Sequence, residues 1–282
     1  MIDPAYSENI HPLVVVDEAH NNFHTSRGRY SPFKEVLERD GYIVEYSTQK
    51  YTKENLGKVD ILVISNSLAD RDLKRWELPA ISAFDDQEIS VIENWVLDGG
   101  SLFLIADHMP FPGAASSLAS AFGVLFINGY ENNTEDSPGR FLFTTSDSTL
   151  VDHPIIYGRK SSENVKSVMT FVGQGFRAAT DVSPILILPS SIELLMPTRA
   201  GEFSEKTPHL SAQNLLQGAT LRHGKGKVAV FGEAGMFTSQ VVVRGKEILG
   251  ETGTGIPEAS ENIQFLLNVM HWLSGLLPDQ SI

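Results

Sequence analysis

Gly99-Gly100-Ser101-Leu102-Phe103-Leu104-Ile105-Ala106-Asp107-His108 carries a helix stop, an uncharged strand and a polar turn in direct succession. An uncharged run such as Ser101–Ala106 suits a strand covered on both faces, the mark of a parallel sheet. The helix ahead of it opens on Asp85, with Glu88 three residues on in the spacing of a capping box. Ile89, Ile92, Trp95 and Val96 then recur on one face until Gly99-Gly100 ends it. Similar apolar runs stand at Leu13–Val16, Val59–Ile64 and Val228–Phe231, each followed by polar residues. Ser31-Pro32 and Gly41 bracket a helix over 32–40, and Tyr42–Tyr46 reads as the next strand. A short helix is predicted around Ser116–Phe122, a strand at Val124–Phe126, and a closing helix on Ile263, Leu266, Leu267, Met270 and Leu273. Strands and helices alternating at this spacing predict right-handed crossovers. The expected fold is a three-layer α/β sandwich on a mainly parallel, flavodoxin-like sheet.

Residues about 130–220 break that rhythm. They are rich in Ser, Thr, Pro and Asn, with short apolar runs at Phe141–Phe143 and Ile185–Leu188. A β-rich insertion, extending the sheet in antiparallel fashion, is expected there. Residues 244–259 read as a flexible loop overhanging the ends of the strands. No repeat or low-complexity tract divides the 282 residues, so a single domain over 1–282 is expected.

The charge balance, 22 Lys+Arg against 35 Asp+Glu for a net −13, disfavours nucleic acid and anionic membrane surfaces as partners. A small-molecule substrate is the expected partner. With no cysteine there is no thiolate nucleophile, no Cys-bound zinc and no disulfide. No run of 18 apolar residues predicts a spanning helix. MIDPAYSENI shows no basic, apolar signal pattern, which leaves cytoplasm and periplasm both open. No GxSxG elbow and no Walker loop occur.

Three segments resemble the class I glutamine amidotransferase-like fold, in its uncharacterised, non-glutaminase branches. They are Val59–Ser65, then Asp98-Gly99-Gly100 with Ser101–Ala106, and Gly224–Phe231 with the closing Asn262–Leu273 helix. GGSLFLIAD and GKGKVAVFG are similar to strand signatures of those branches. The family's nucleophilic Cys follows a sheet strand. Here the corresponding turn is Asp107-His108, so the resemblance implies the fold without thioester chemistry.

Ligands of open parallel sheets bind beyond the carboxyl ends of the strands. That rule selects Asp17-Glu18-Ala19-His20-Asn21-Asn22-Phe23-His24, Ser65-Asn66 and Asp107-His108. Strands one neighbour apart are roughly 10 Å from each other, a gap side chains bridge. Imidazoles and carboxylates gathered there suit a divalent metal, zinc first and manganese or iron next, with a water completing the coordination. The expected ligands are His20, His24, Asp107 and His108, with Asp17 orienting a ligand histidine. Glu18 or Glu233 would move the proton, and Asn66 would hold the oxyanion. Glu233 alternatively caps the turn that follows it. The resulting expectation is a metal-dependent hydrolase of a small amide, lactone or ester. The alternative is a non-catalytic module that binds a ligand or protein in the same crevice. His11, His153, His209, His223 and His271 are read as turn, surface or packing residues.

Overall fold

The structure is a computed structural model and describes residues 4–6, 11–70, 75–133, 139–179, 181–244 and 247–279. Its first half runs β1 (Leu13–Asp17), α1 (Ser31–Arg39), β2 (Ile43–Ser47), α2 (Lys53–Leu56), β3 (Ile61–Ser65), α3 (Asp86–Asp98), β4 (Ser101–Ile105), α4 (Phe111–Ala121) and β5 (Val124–Phe126). The middle adds β6 (Tyr130–Asn133), β7 (Phe141–Thr144), α5 (Pro154–Tyr157), β8 (Ser167–Thr170), β9 (Phe176–Ala178), β10 (Ser183–Ile187), β11 (Ile192–Leu195) and β12 (His209–Ser211). The chain closes with β13 (Leu216–His223), β14 (Gly226–Phe231), β15 (Ser239–Arg244), β16 (Glu247–Gly253) and α6 (Asn262–Leu273).

The main sheet has the order β2-β1-β3-β4-β14-β13-β9-β5, with β10 also on β13. From β2 to β14 every pairing is parallel, and from β14 onward every pairing is antiparallel. The alternation of each strand feeds two cores. Val14, Val16, Val63, Phe103 and Phe231 face α1 and α6, which contribute Phe33, Leu37 and Phe265. Val15, Leu62, Ile64, Leu104 and Val230 face α3 and α4 through Ile89, Ile92, Val96 and Leu118. This is the expected α/β sandwich, and β6 with β11 and β12 forms a smaller antiparallel sheet beside it. Among the described residues no helix is long and apolar enough to cross a membrane.

Register positions the site. Ser65 pairs with Ile105, and Ile105 pairs with Phe231. The strands β3, β4 and β14 therefore end in line and deliver Asn66, Asp107 and Glu233 to one edge.

Three expectations are corrected. The helix predicted around Ser116–Phe122 begins at Phe111, because Pro112 fits a first turn and Ala114 and Ala115 bury against the sheet. Residues 244–259 are no loop: β15 and β16 form an antiparallel hairpin, with 245–246 outside the described residues. Asp85 does cap α3 by accepting the Glu88 N–H at 2.9 Å, but the Glu88 side chain turns inward instead of completing a capping box.

Candidate functional site

The residues after β1 spend their polar atoms on one another. Asp17 accepts from the Tyr51 hydroxyl at 3.0 Å and the Asn22 amide at 3.0 Å, and it meets His20 Nδ1 at 2.9 Å. The other ring nitrogen of His20 lies 3.1 Å from Glu88, whose second oxygen accepts the Tyr51 N–H at 2.8 Å. Burial by itself would lower the His20 pKa. The bonds to Asp17 and Glu88 outweigh it and raise the imidazole to about 9. A ring bonded to carboxylates through both nitrogens has no lone pair for a metal. Glu18 is likewise committed, accepting from Ser26 N at 2.9 Å and Ser26 Oγ at 2.7 Å and pairing with Arg27 at 3.3 Å. Those bonds anchor its own loop.

The second cluster lies at the ends of β3 and β4. Asn66 sits in the left-handed region at φ 49°, which turns its side chain across the strand ends. Its Oδ1 accepts the Asp107 N–H at 2.8 Å, and its Nδ2 meets His24 Nδ1 at 3.0 Å. Those bonds make Asn66 a bracket between the two loops and use one of its two Nδ2 hydrogens. His24 Nε2 is 3.1 Å from the Gln240 amide, at the start of the β15–β16 hairpin. Burial, with Arg29 and His108 nearby, lowers His24 to about 3, so it is neutral.

Asp107 is 9% exposed and accepts the His108 N–H at 2.8 Å. Burial raises its pKa against the lowering effects of His108 and Asn66. Half-buried His108 donates from Nδ1 to the Met109 carbonyl at 2.8 Å, which leaves Nε2 with the lone pair. Its ring stacks on Tyr130 at 4.4 Å. Glu233 lies deeper. Its two oxygens accept from Gly235 N at 2.6 Å and Met236 N at 2.7 Å, the turn-capping role. Burial, then the charge of Asp107, still pushes it well above the ordinary carboxyl range. Burial favours the neutral acid at both carboxyls.

Glu131, Gln217, Glu88 and Gln240 were not among the expected site residues. Glu131 falls in the irregular middle, where Tyr130 and Glu131 are both buried and no two-residue period marks an inward side chain. Aromatic side chains surround this cluster. Phe23 contacts Phe111 at 5.5 Å, Phe111 contacts His108 at 5.8 Å, and Tyr130 contacts Phe203 at 5.1 Å. The Arg29 guanidinium lies 3.8 Å over Phe23 and forms no salt bridge among the described residues.

The four expected metal ligands are thus divided. His20 belongs to the Asp17–Glu88 cluster, while His24, Asp107 and His108 gather around Asn66. Among the described residues no three His, Asp or Glu side chains converge as a metal site. His20 is bonded at both nitrogens within the other cluster, and His24 Nδ1 accepts from Asn66, so the four residues do not form one ligand set.

No family model and no curated protein matches this chain. The fold is similar to the structure named mmIFT52 N-terminal domain, with a TM-score of 0.65 at 14% identity, covering 95% of this chain and 100% of that one. It is also similar to a ThuA-like protein from Bacteroides uniformis, with a TM-score of 0.55 at 13% identity over 97% and 95%. A third likeness is to the cytoplasmic protein STM3548 from Salmonella typhimurium, with a TM-score of 0.54 at 14% identity over 93% and 98%. These are likenesses of fold. They correct the family resemblance read from GGSLFLIAD and GKGKVAVFG. Short strand signatures of that kind report a buried parallel strand, and membership of the glutamine amidotransferase-like branch does not follow from them.

Proposed function

We propose that the chain is a hydrolase of a small ester, lactone or amide, acting by acid–base catalysis at Asp107 and His108. One observation carries this reading. His108 stands at the end of the central strand with its tautomer set by the Met109 carbonyl, beside a carboxyl whose pKa is raised. His108 Nε2 takes a proton from water as the water oxygen attacks the substrate carbonyl carbon. A proton on Asp107, whose burial favours the neutral acid, passes to the leaving oxygen or nitrogen as its bond to carbon breaks. His108 then returns its proton to Asp107. Arg29 would receive an anionic group of the substrate, and the surrounding aromatic side chains its apolar part.

The test is turnover on a panel of p-nitrophenyl esters, lactones and anilides by wild type, His108→Gln and Asp107→Asn. Each variant is expected to lose about 10²–10⁴-fold in kcat/KM. Equal turnover by all three chains would falsify the reading. The rate is expected to survive a chelator; loss on chelation, restored by zinc, would support the metal-dependent reaction instead.

A second reading is favoured by how fully Glu18, His20 and Glu233 are bonded into the fold. It makes the crevice a binding pocket without chemistry. Saturable binding of panel compounds with no turnover would select it.

A further inference from the structure

The acid–base step above makes no use of Glu131, although Glu131 lies with the same carboxyls. Its backbone N–H donates to the Gly173 carbonyl at 2.7 Å, and β6 pairs it with Leu194. Its side chain is buried, and no cationic side chain is bonded to it among the described residues. Gln217 Nε2 donates to Glu131 Oε2 at 2.5 Å, short for an N–H···O contact. The remaining oxygens of these two groups, Glu131 Oε1 and Gln217 Oε1, are both buried without a partner.

Two bonded groups that each leave an acceptor unpaired lack one hydrogen. An ionised Glu131 cannot supply it. A carboxylic acid can: its O–H pairs with the Gln217 carbonyl oxygen while the Gln217 N–H keeps the other bond, closing a two-bond acid–amide ring. The surroundings favour the neutral acid. The charged or titratable groups facing Glu131 are Asp107 from β4 and Glu233 after β14, and β13 presents the neutral Gln217. Burial, assisted by Asp107, carries the Glu131 carboxyl up to about 7.

We propose that Glu131 is a proton-holding carboxylic acid paired with Gln217, and that it sets how many protons the Asp107–Glu233 pair retains. With Glu131 neutral, two buried carboxyls repel each other. Ionising it adds a third charge and draws a further proton onto Asp107 or Glu233. Glu131 is a positioning residue, and the role given it rests on the acid–base reading of that pair.

The experiment is infrared spectroscopy with thermal unfolding, on wild type and Glu131→Gln, from pH 5 to pH 8.5. A carboxylic-acid C=O band is expected in wild type at low pH. One acid component should be missing from the variant, which keeps that of Asp107 and Glu233, and this component should fade in wild type as the pH rises through neutrality. An acid whose folded pKa is raised gives its full stability below the unfolded value and loses it as pH rises through the folded one. Wild-type Tm is therefore expected to fall relative to the variant across that range. In an active enzyme, Glu131→Gln also removes an inflection near neutrality from the pH–rate profile. No difference in the acid band at pH 5, or parallel Tm curves, overturns the proposal. Should Glu131→Gln fail to fold, Gln217→Leu is the second variant: a shifted acid band supports the pairing, and an unmoved one overturns it. The infrared and Tm readouts need no turnover, so failure of the hydrolase reading alone would leave them intact.

Discussion

His20 and His24 leave the same strand-end loop four residues apart, yet one ring is bracketed by carboxylates and the other by amides. His20 is raised to about 9 between Asp17 and Glu88. His24 is lowered to about 3 between Asn66 and Gln240. Both are buried, so burial does not separate them; the partners do. The cation at His20 ties β1 to α3 and to the Tyr51 segment. The neutral ring at His24 ties the same loop to β3 and to the hairpin. One loop thus contains a locked electrostatic joint and, beside it, a neutral ring among amides.

The sharpest way to break that contrast is His20→Ala. Removing the cation leaves Asp17 and Glu88 buried and facing each other, at a cost of about 3–5 kcal/mol in urea unfolding. Raising the pH does the same more gently. A histidine whose folded pKa is raised gives its full stability below the unfolded value near 6.5 and loses it as pH climbs through the folded value. Stability should therefore drop by about 2–3 kcal/mol between pH 7 and pH 10, and a His20→Gln chain should lack that drop. His24→Gln removes no charge. A cost of about 1 kcal/mol is expected, and a loss as large as that of His20→Ala would collapse the distinction. Arg27→Ala probes the half-exposed Glu18 pair on the same loop and should cost less than about 1 kcal/mol.

The parallel half of the molecule was legible because burial on both faces leaves a plain trace: uncharged runs such as Ile61–Ser65 and Ser101–Ile105, set between helices with clear stops. The positions of Asn66, Asp107 and His108 followed from the strand-end rule. The direction of each side chain did not. Glu88 has capping-box spacing, yet it serves His20 across the sheet layer, and no local pattern separates those two fates. Glu131 and Gln217 meet through β6 and β13, which lie in different sheets and are 86 residues apart in sequence. Such a pair has no signature in either segment.

Gly173 carries a consequence for how freely this sequence can drift. A Cβ there would stand 2.5 Å from the Gly232 carbonyl oxygen and 2.9 Å from both Gln217 Nε2 and Glu233 Cβ. Its own carbonyl receives the Glu131 N–H. Even alanine would have to prise the small sheet from the large one at the point where their acids meet. Gly201 poses the opposite problem: its φ of +75° favours glycine, but a Cβ there meets nothing within 4 Å. A saturation library sorted for folded chains should return glycine alone at 173, and glycine with asparagine at 201. The first residue is held by crowding and the second by backbone angle alone.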